Sequence, residues 1–168
     1  MYKVFGEFDS SEEINEAAAG LLAEGDHENI LVLAKENGLD PEFAQAYIDG
    51  EISVLTDSLM AAVGKIELER NDIKDSFFNE MKEDMINYLL CSDEMMARAI
   101  RRKGKSLKGC FEYCKKEIEK ALSRKNGGLR DRVVYAMEKD YYLKKEVVKS
   151  EKEAAREDTD ETDTDDEE

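Results

Sequence analysis

Cys110 and Cys114 stand four residues apart, a spacing that puts two side chains on one face of a helix. Two thiolates so placed could supply half of a metal site. The other half is hard to find, because the chain has one histidine, His27, far upstream. Buried free thiols are therefore the expected state of both. His27 is expected near a helix start, without a chemical role. The third cysteine, Cys91, makes the set odd and small, unlike the paired framework of a secreted disulfide scaffold. No glycine-rich phosphate loop is present, and one histidine leaves no His-based catalytic constellation. With 41 acids in the chain, neighbouring carboxylates carry no specificity. These readings predict neither an enzyme active site nor a cofactor or metal.

Charge is the other chemical resource, and its arrangement says more than its net value of −16. Residues 1–60 hold 14 acids and 2 bases, residues 61–150 hold 16 acids and 21 bases, and residues 151–168 hold 11 acids and 2 bases. An acidic head, a basic centre and an acidic tail follow one another. The centre includes Arg98, Arg101, Arg102, Lys103, Lys105 and Lys108, six bases within eleven residues and no acid among them. These six are the candidate site for a partner or a nucleic acid. Lys105, Ser106 and the amides after them would form an anion site at a helix start. Alternatively, the bases pair with the chain's own acids. The acidic head offers Glu12, Glu13, Glu16, Glu24, Asp26 and Glu28 as a second candidate surface. The tail is too polar to offset its chain entropy and is expected to be disordered and dispensable for folding. It acts either as a solubilising segment or as a polyanion competing for a basic groove.

Helices must position these groups. Pro occurs once, at Pro41, and Gly ten times, so breakers are scarce. No apolar run approaches 18 residues, which argues against a membrane span. The N-terminus lacks a signal-peptide pattern, and a cytoplasmic location is expected. Ser10 with Glu13 reads as a capping box ahead of Ile14, Ala17, Ala18, Leu21 and Leu22. Gly25 and Asp26 separate a second helix with Ile30, Leu33 and Ala34 inside. Asp40 and Pro41 open a third, with Phe43, Ala46 and Tyr47 inward. The pair resembles a helix-turn-helix in outline, but the second helix has no base to meet phosphates. A fourth helix is predicted over about Asp57–Glu69. A long fifth runs from Asp72 to Cys91, with Phe78, Met81, Met85 and Tyr88 or Leu89 on one face. A short sixth carries Met96, Ala99 and Ile100. A basic turn around Gly104 precedes a helix capped by Ser106, with Leu107, Cys110, Phe111, Cys114, Ile118, Ala121 and Leu122 at core spacing. After a turn at Asn126-Gly127-Gly128, a last helix carries Val134, Met137 and Tyr141. One short strand is allowed at Tyr2–Phe5. The predicted fold is all-α, a bundle of seven or eight helices. It divides into an acidic subdomain (1–70), a helical domain with the basic turn (71–150) and the acidic tail (151–168).

Several of these residues form a recognisable pattern. Arg102-Lys103-Gly104-Lys105-Ser106-Leu107-Lys108-Gly109-Cys110 is followed by Phe111-Glu112-Tyr113-Cys114, Asp131-Arg132-Val133-Val134-Tyr135 and Tyr141-Tyr142. The pattern resembles the PcfK-like family of conjugative elements and phages over about residues 75–146. Ala136-Met137 departs from it where members often place Trp or Gly with Ala. Some proteins similar to this family inhibit type II RNA-guided CRISPR nucleases, and others are accessory conjugation proteins. The resemblance by itself does not choose between them; the expected function is an anti-CRISPR protein whose partner is such a nuclease, with contact to its guide RNA or DNA. The alternative is an accessory protein binding nucleic acid or a relaxosome component. The acidity leans toward the inhibitor, because these nucleases have basic nucleic-acid channels.

Overall fold

The structure is a computed structural model that describes residues 2–74, 81–123 and 129–144. Among these residues it contains eight α-helices and no strand. They are α1 (Ser11–Glu24), α2 (His27–Glu36), α3 (Pro41–Ile48), α4 (Ser58–Glu69), α5 (Lys82–Leu90), α6 (Glu94–Arg101), α7 (Leu107–Ser123) and α8 (Asp131–Leu143).

Local chemistry sets most of the boundaries. Ser10, Asp26, Asp40, Asp57 and Asp93 each cap a helix by accepting a backbone N–H from its first turn. Ser106 does the same for α7, taking the N–H of Gly109 at 3.1 Å. Half of the expected capping box forms: Glu13 donates its N–H to Ser10 Oγ, but its carboxylate reaches past the cap and accepts the N–H of Asp9 at 2.7 Å.

Three expectations are corrected here. Tyr2–Phe5 is not a strand; the N–H groups of Lys3, Val4 and Phe5 turn onto the single carboxylate of Glu36, at 2.6–3.1 Å for the shortest contacts. The long fifth helix does not begin at Asp72. Arg70–Asp72 is one 3₁₀ turn and Ile73 is extended, which buries its side chain in the core before the chain reaches α5. Finally, Phe43 of α3 faces outward at 45% exposed, and Ala44 takes the inward place beside Tyr47. Phe78, the turn at 126–128 and the tail 151–168 lie outside the described residues.

Two hydrophobic clusters make the core. The first gathers Ile14, Ala18, Ile30, Leu33, Ala44, Tyr47 and Leu55 from the first half of the chain. The second gathers Met85, Leu89, Met96, Ile100, Leu107, Cys110, Phe111, Cys114, Val134 and Tyr142. Helix α4 serves both, giving Ala61 to the first and Ala62 and Ile66 to the second. It passes the end of α2 at backbone contact. A Cβ on Gly64 would fall 2.3 Å from the Asn37 carbonyl oxygen, and one on Gly38 would fall 2.3 Å from that of Gly64. Only paired glycines permit this approach.

Candidate functional site

The basic segment starts at the end of α6 and crosses the turn into α7. Its six bases meet three different fates.

Arg101 and Lys105 are structural. Arg101 is fully buried, donates from Nη2 to Asn37 Oδ1 and lies 5.9 Å from the centre of the Tyr2 ring. Its Nε and Nη1 find no acceptor among the described residues. Lys105 is 9% exposed. Its Nζ donates to the carbonyls of Tyr141 (3.0 Å) and Lys144 (3.3 Å), capping the C-terminal end of α8 where a cation is favoured. It also lies 4.9 Å from the Tyr141 ring centre.

Arg98 and Lys103 are met by the acidic head. Arg98 pairs with Glu12 at 2.8 Å and with Glu94 at 3.0 Å. Lys103 pairs with Glu13 at 3.7 Å, and its backbone N–H donates to Asp9 at 2.7 Å. The Glu12 carboxyl sits below the usual carboxylate range because of its own backbone N–H and the Arg98 guanidinium. Beneath these contacts lies Lys65 of α4, 1% exposed, whose Nζ donates to Glu7 at 2.6 Å and to the Arg102 carbonyl at 3.0 Å. Burial pulls the Lys65 amine below its ordinary range, against the pull of Glu7. Sequence reasoning missed Lys65, because a lone lysine in a helix gives no sign of burial.

Arg102 and Lys108 remain. Both side chains are exposed and form no hydrogen bond or ion pair among the described residues. The predicted anion site at the start of α7 is taken by the protein's own groups. The Ser106 N–H donates to the Tyr141 hydroxyl at 3.2 Å, and the Leu107 N–H to the Glu69 carboxylate at 2.5 Å.

The acidic candidates also divide. Glu12 and Glu13 are committed to the basic segment, and Asp26 caps α2 and accepts the Asn29 amide at 2.7 Å. Glu16, Glu24 and Glu28 are exposed and unpaired among the described residues.

The recurring sequence pattern becomes a packing unit. A Cβ on Gly109 would collide with the Tyr141 hydroxyl at 2.3 Å, so glycine makes the room that lets α8 close on α7. Tyr142 is buried against this core, and Tyr135 stacks on Tyr88 with centroids 4.4 Å apart. Residues 75–157 match the family described as PcfK-like protein. The PcfK-like stretch thus holds α5–α8 and the basic turn, as the sequence pattern implied, while α1–α4 precede it. No curated protein and no solved structure matches the chain.

Cys110 and Cys114 are buried free thiols on the core face of α7, and Cys91 is exposed. Burial and the neighbouring Cys114 push the Cys110 thiol well above its ordinary range. Beside them lies Glu138, which sequence periodicity left unassigned. The buried stripe of α8 is Val134, Glu138 and Tyr142, not Val134, Met137 and Tyr141; Met137 and Tyr141 are only partly buried. Neither Glu138 oxygen has a hydrogen-bond partner among the described residues. Burial first, and Cys114 second, push its carboxyl up to about 9, so it is protonated at neutral pH. Among the described residues no three His, Cys, Asp or Glu side chains gather as metal ligands, and no helix is long and apolar enough to cross a membrane.

Proposed function

We propose that this protein is a non-enzymatic binding protein of a mobile genetic element, which applies its acidic N-terminal half to a basic, nucleic-acid-binding protein surface. The partner is a type II RNA-guided CRISPR nuclease, which the protein inhibits. One observation carries this reading: four of the six candidate bases are consumed inside the molecule, while Glu16, Glu24 and Glu28 face solvent without partners. The field left for a partner is negative. A polyanionic surface is steered toward a basic channel and occludes it. The similarity to PcfK-like proteins, which are linked to conjugative elements, supports the genetic setting.

A second reading rests on Arg102 and Lys108, which remain free to meet phosphates. In it the protein is a conjugation accessory factor binding nucleic acid or a relaxosome component. One pair of experiments separates the two. Purified protein is mixed with a guide-loaded type II nuclease, and both complex formation and DNA cleavage are measured. In parallel, single- and double-stranded DNA are titrated with the protein alone. The inhibitor reading expects a complex, loss of cleavage and no DNA shift. A DNA shift that disappears in Arg102→Glu/Lys108→Glu, with no nuclease complex, overturns it in favour of the second.

A further inference from the structure

We infer that the α3–α4 connection forms a docking groove for an amphipathic basic segment of a partner protein, one whose apolar side chains are flanked by lysine or arginine. The inference rests on the reading that the acidic half meets a basic protein, and it names where and how.

The groove is lined by Phe43 on α3, Ile52, Val54 and Leu55 in the connection, and Met60 on α4, and has a volume of about 370 Å³. That lies within the ~300–1,000 Å³ typical of ligand clefts. Two of its apolar walls stand open to water: Phe43 is 45% and Val54 52% exposed. A helix-forming sequence would gain by turning Phe43 inward, yet Ala44 holds that place. The connection is not a loose loop. Asn15 of α1 clamps it, accepting the N–H groups of Leu55 (3.0 Å) and Thr56 (3.1 Å) and donating to the Thr56 carbonyl (2.8 Å). The groove is therefore preformed, which lowers the ordering cost of binding.

Charge selects the occupant. Between Lys35 and Lys65 the chain carries six acids and no base, with Glu51 and Asp57 on the groove itself. A second copy of this chain would bring the same base-free stretch against itself. Nucleic acids and anionic membranes would be repelled as well. A segment with apolar anchors and basic flanks meets both requirements, the anchors in the cleft and the flanks on the acidic rim.

The test is fluorescence anisotropy of a labelled peptide with leucine and lysine at helical spacing, against the full chain. Two control peptides replace every leucine by serine, or every lysine by glutamate. The groove predicts binding at least about tenfold tighter for the leucine–lysine peptide than for either control. It also predicts a loss of about tenfold or more in Phe43→Ser/Val54→Ser and a partial loss in Glu51→Gln. Phe43 and Val54 are exposed, so the variants are expected to melt like the parent; Val54→Ser alone serves if the double variant does not fold. Undiminished binding to Phe43→Ser/Val54→Ser, with loss in Glu16→Gln/Glu24→Gln/Glu28→Gln, overturns the groove and leaves the acidic-surface reading standing. Binding unchanged in every acid variant overturns both. Concentration-dependent dimerisation by sedimentation, abolished by Phe43→Ser, overturns the basic segment in favour of a second copy.

Discussion

Glu138 and Arg101 are buried ionisable side chains with opposite consequences for stability. Glu138 titrates at about 9 in the fold instead of the ordinary 4.5. Below about pH 4.5 it is protonated whether the chain is folded or not. Between 4.5 and 9 the unfolded chain releases the proton and the folded chain keeps it, so stability falls as pH rises through this window and levels off above it. At ~1.4 kcal/mol per pH unit, the penalty at pH 7 is of order 3 kcal/mol. Glu138→Met is expected to raise stability by about 2–3 kcal/mol at pH 7 and to flatten the decline between pH 5 and 9, as read by urea unfolding at each pH. Equal pH slopes in variant and parent would show that the carboxyl ionises in the fold. Arg101 behaves in the opposite sense. Arg101→Ala strands the Asn37 side-chain oxygen and empties a buried volume, at a cost of about 2–5 kcal/mol. Arg102→Ala, at the neighbouring but exposed position, should stay within about 0.5 kcal/mol. Denaturant midpoints of the two variants settle the contrast.

At the scale of elements, glycine separates helices that merely form from helices that touch. Gly64 sits in α4 at 2.3 Å from the Asn37 carbonyl as seen by an added Cβ, and that atom is backbone and cannot swing aside. Gly64→Ala is expected to force α4 away from α2 and cost about 2–3 kcal/mol or more. Gly20, in the exposed middle of α1, has nothing within 4 Å of an added Cβ. Gly20→Ala should therefore stabilise the protein by about 0.5–1 kcal/mol through helix propensity. The two substitutions are chemically identical, and thermal melts that moved in the same direction would contradict the crossing geometry.

Across the whole molecule, charge and core are divided differently. The two hydrophobic clusters part within α4, between Ala61 and Ala62. The charges instead join across that line, through Glu7–Lys65, Glu12–Arg98 and Glu13–Lys103. A fragment of residues 1–70 would keep α4 but expose Ala62 and Ile66, and would lose the partners of Glu12 and Glu13. Its far-UV circular dichroism is expected to show less helix per residue than the parent and a broadened transition; a native-like sharp melt would show that α4 does not couple the halves. The surface pairs Glu12–Arg98 and Glu13–Lys103 are about half exposed, so each contributes at most ~1 kcal/mol. Their main consequence is electrostatic: they remove Arg98 and Lys103 from the charge offered to a partner. Glu12→Gln/Glu13→Gln is thus expected to free Lys103, while Arg98 keeps Glu94, and to give more single-stranded DNA binding than the parent in a shift assay, with a steeper salt dependence.

The sequence by itself determined the helices, because helix starts are local chemistry. Ser10, Asp40 and Ser106 read as caps and act as caps, and the α7 core stripe follows from period alone as far as Ile118, while Leu122, the last position period placed inward, is exposed. It also placed both thiols of α7 in the core and carried the PcfK-like pattern. What it left undecided was which charges meet. Six bases in eleven residues look alike in one dimension. Only the fold buries Arg101 against α2, threads Lys105 into the end of α8, and presents Glu12 and Glu13 to Arg98 and Lys103. The same holds for Glu138 and Phe43, where period predicted an apolar residue inside and the packing of neighbouring helices turned the face by one position. A rotation of one residue costs little within a helix and is set by contacts from residues far away in the chain.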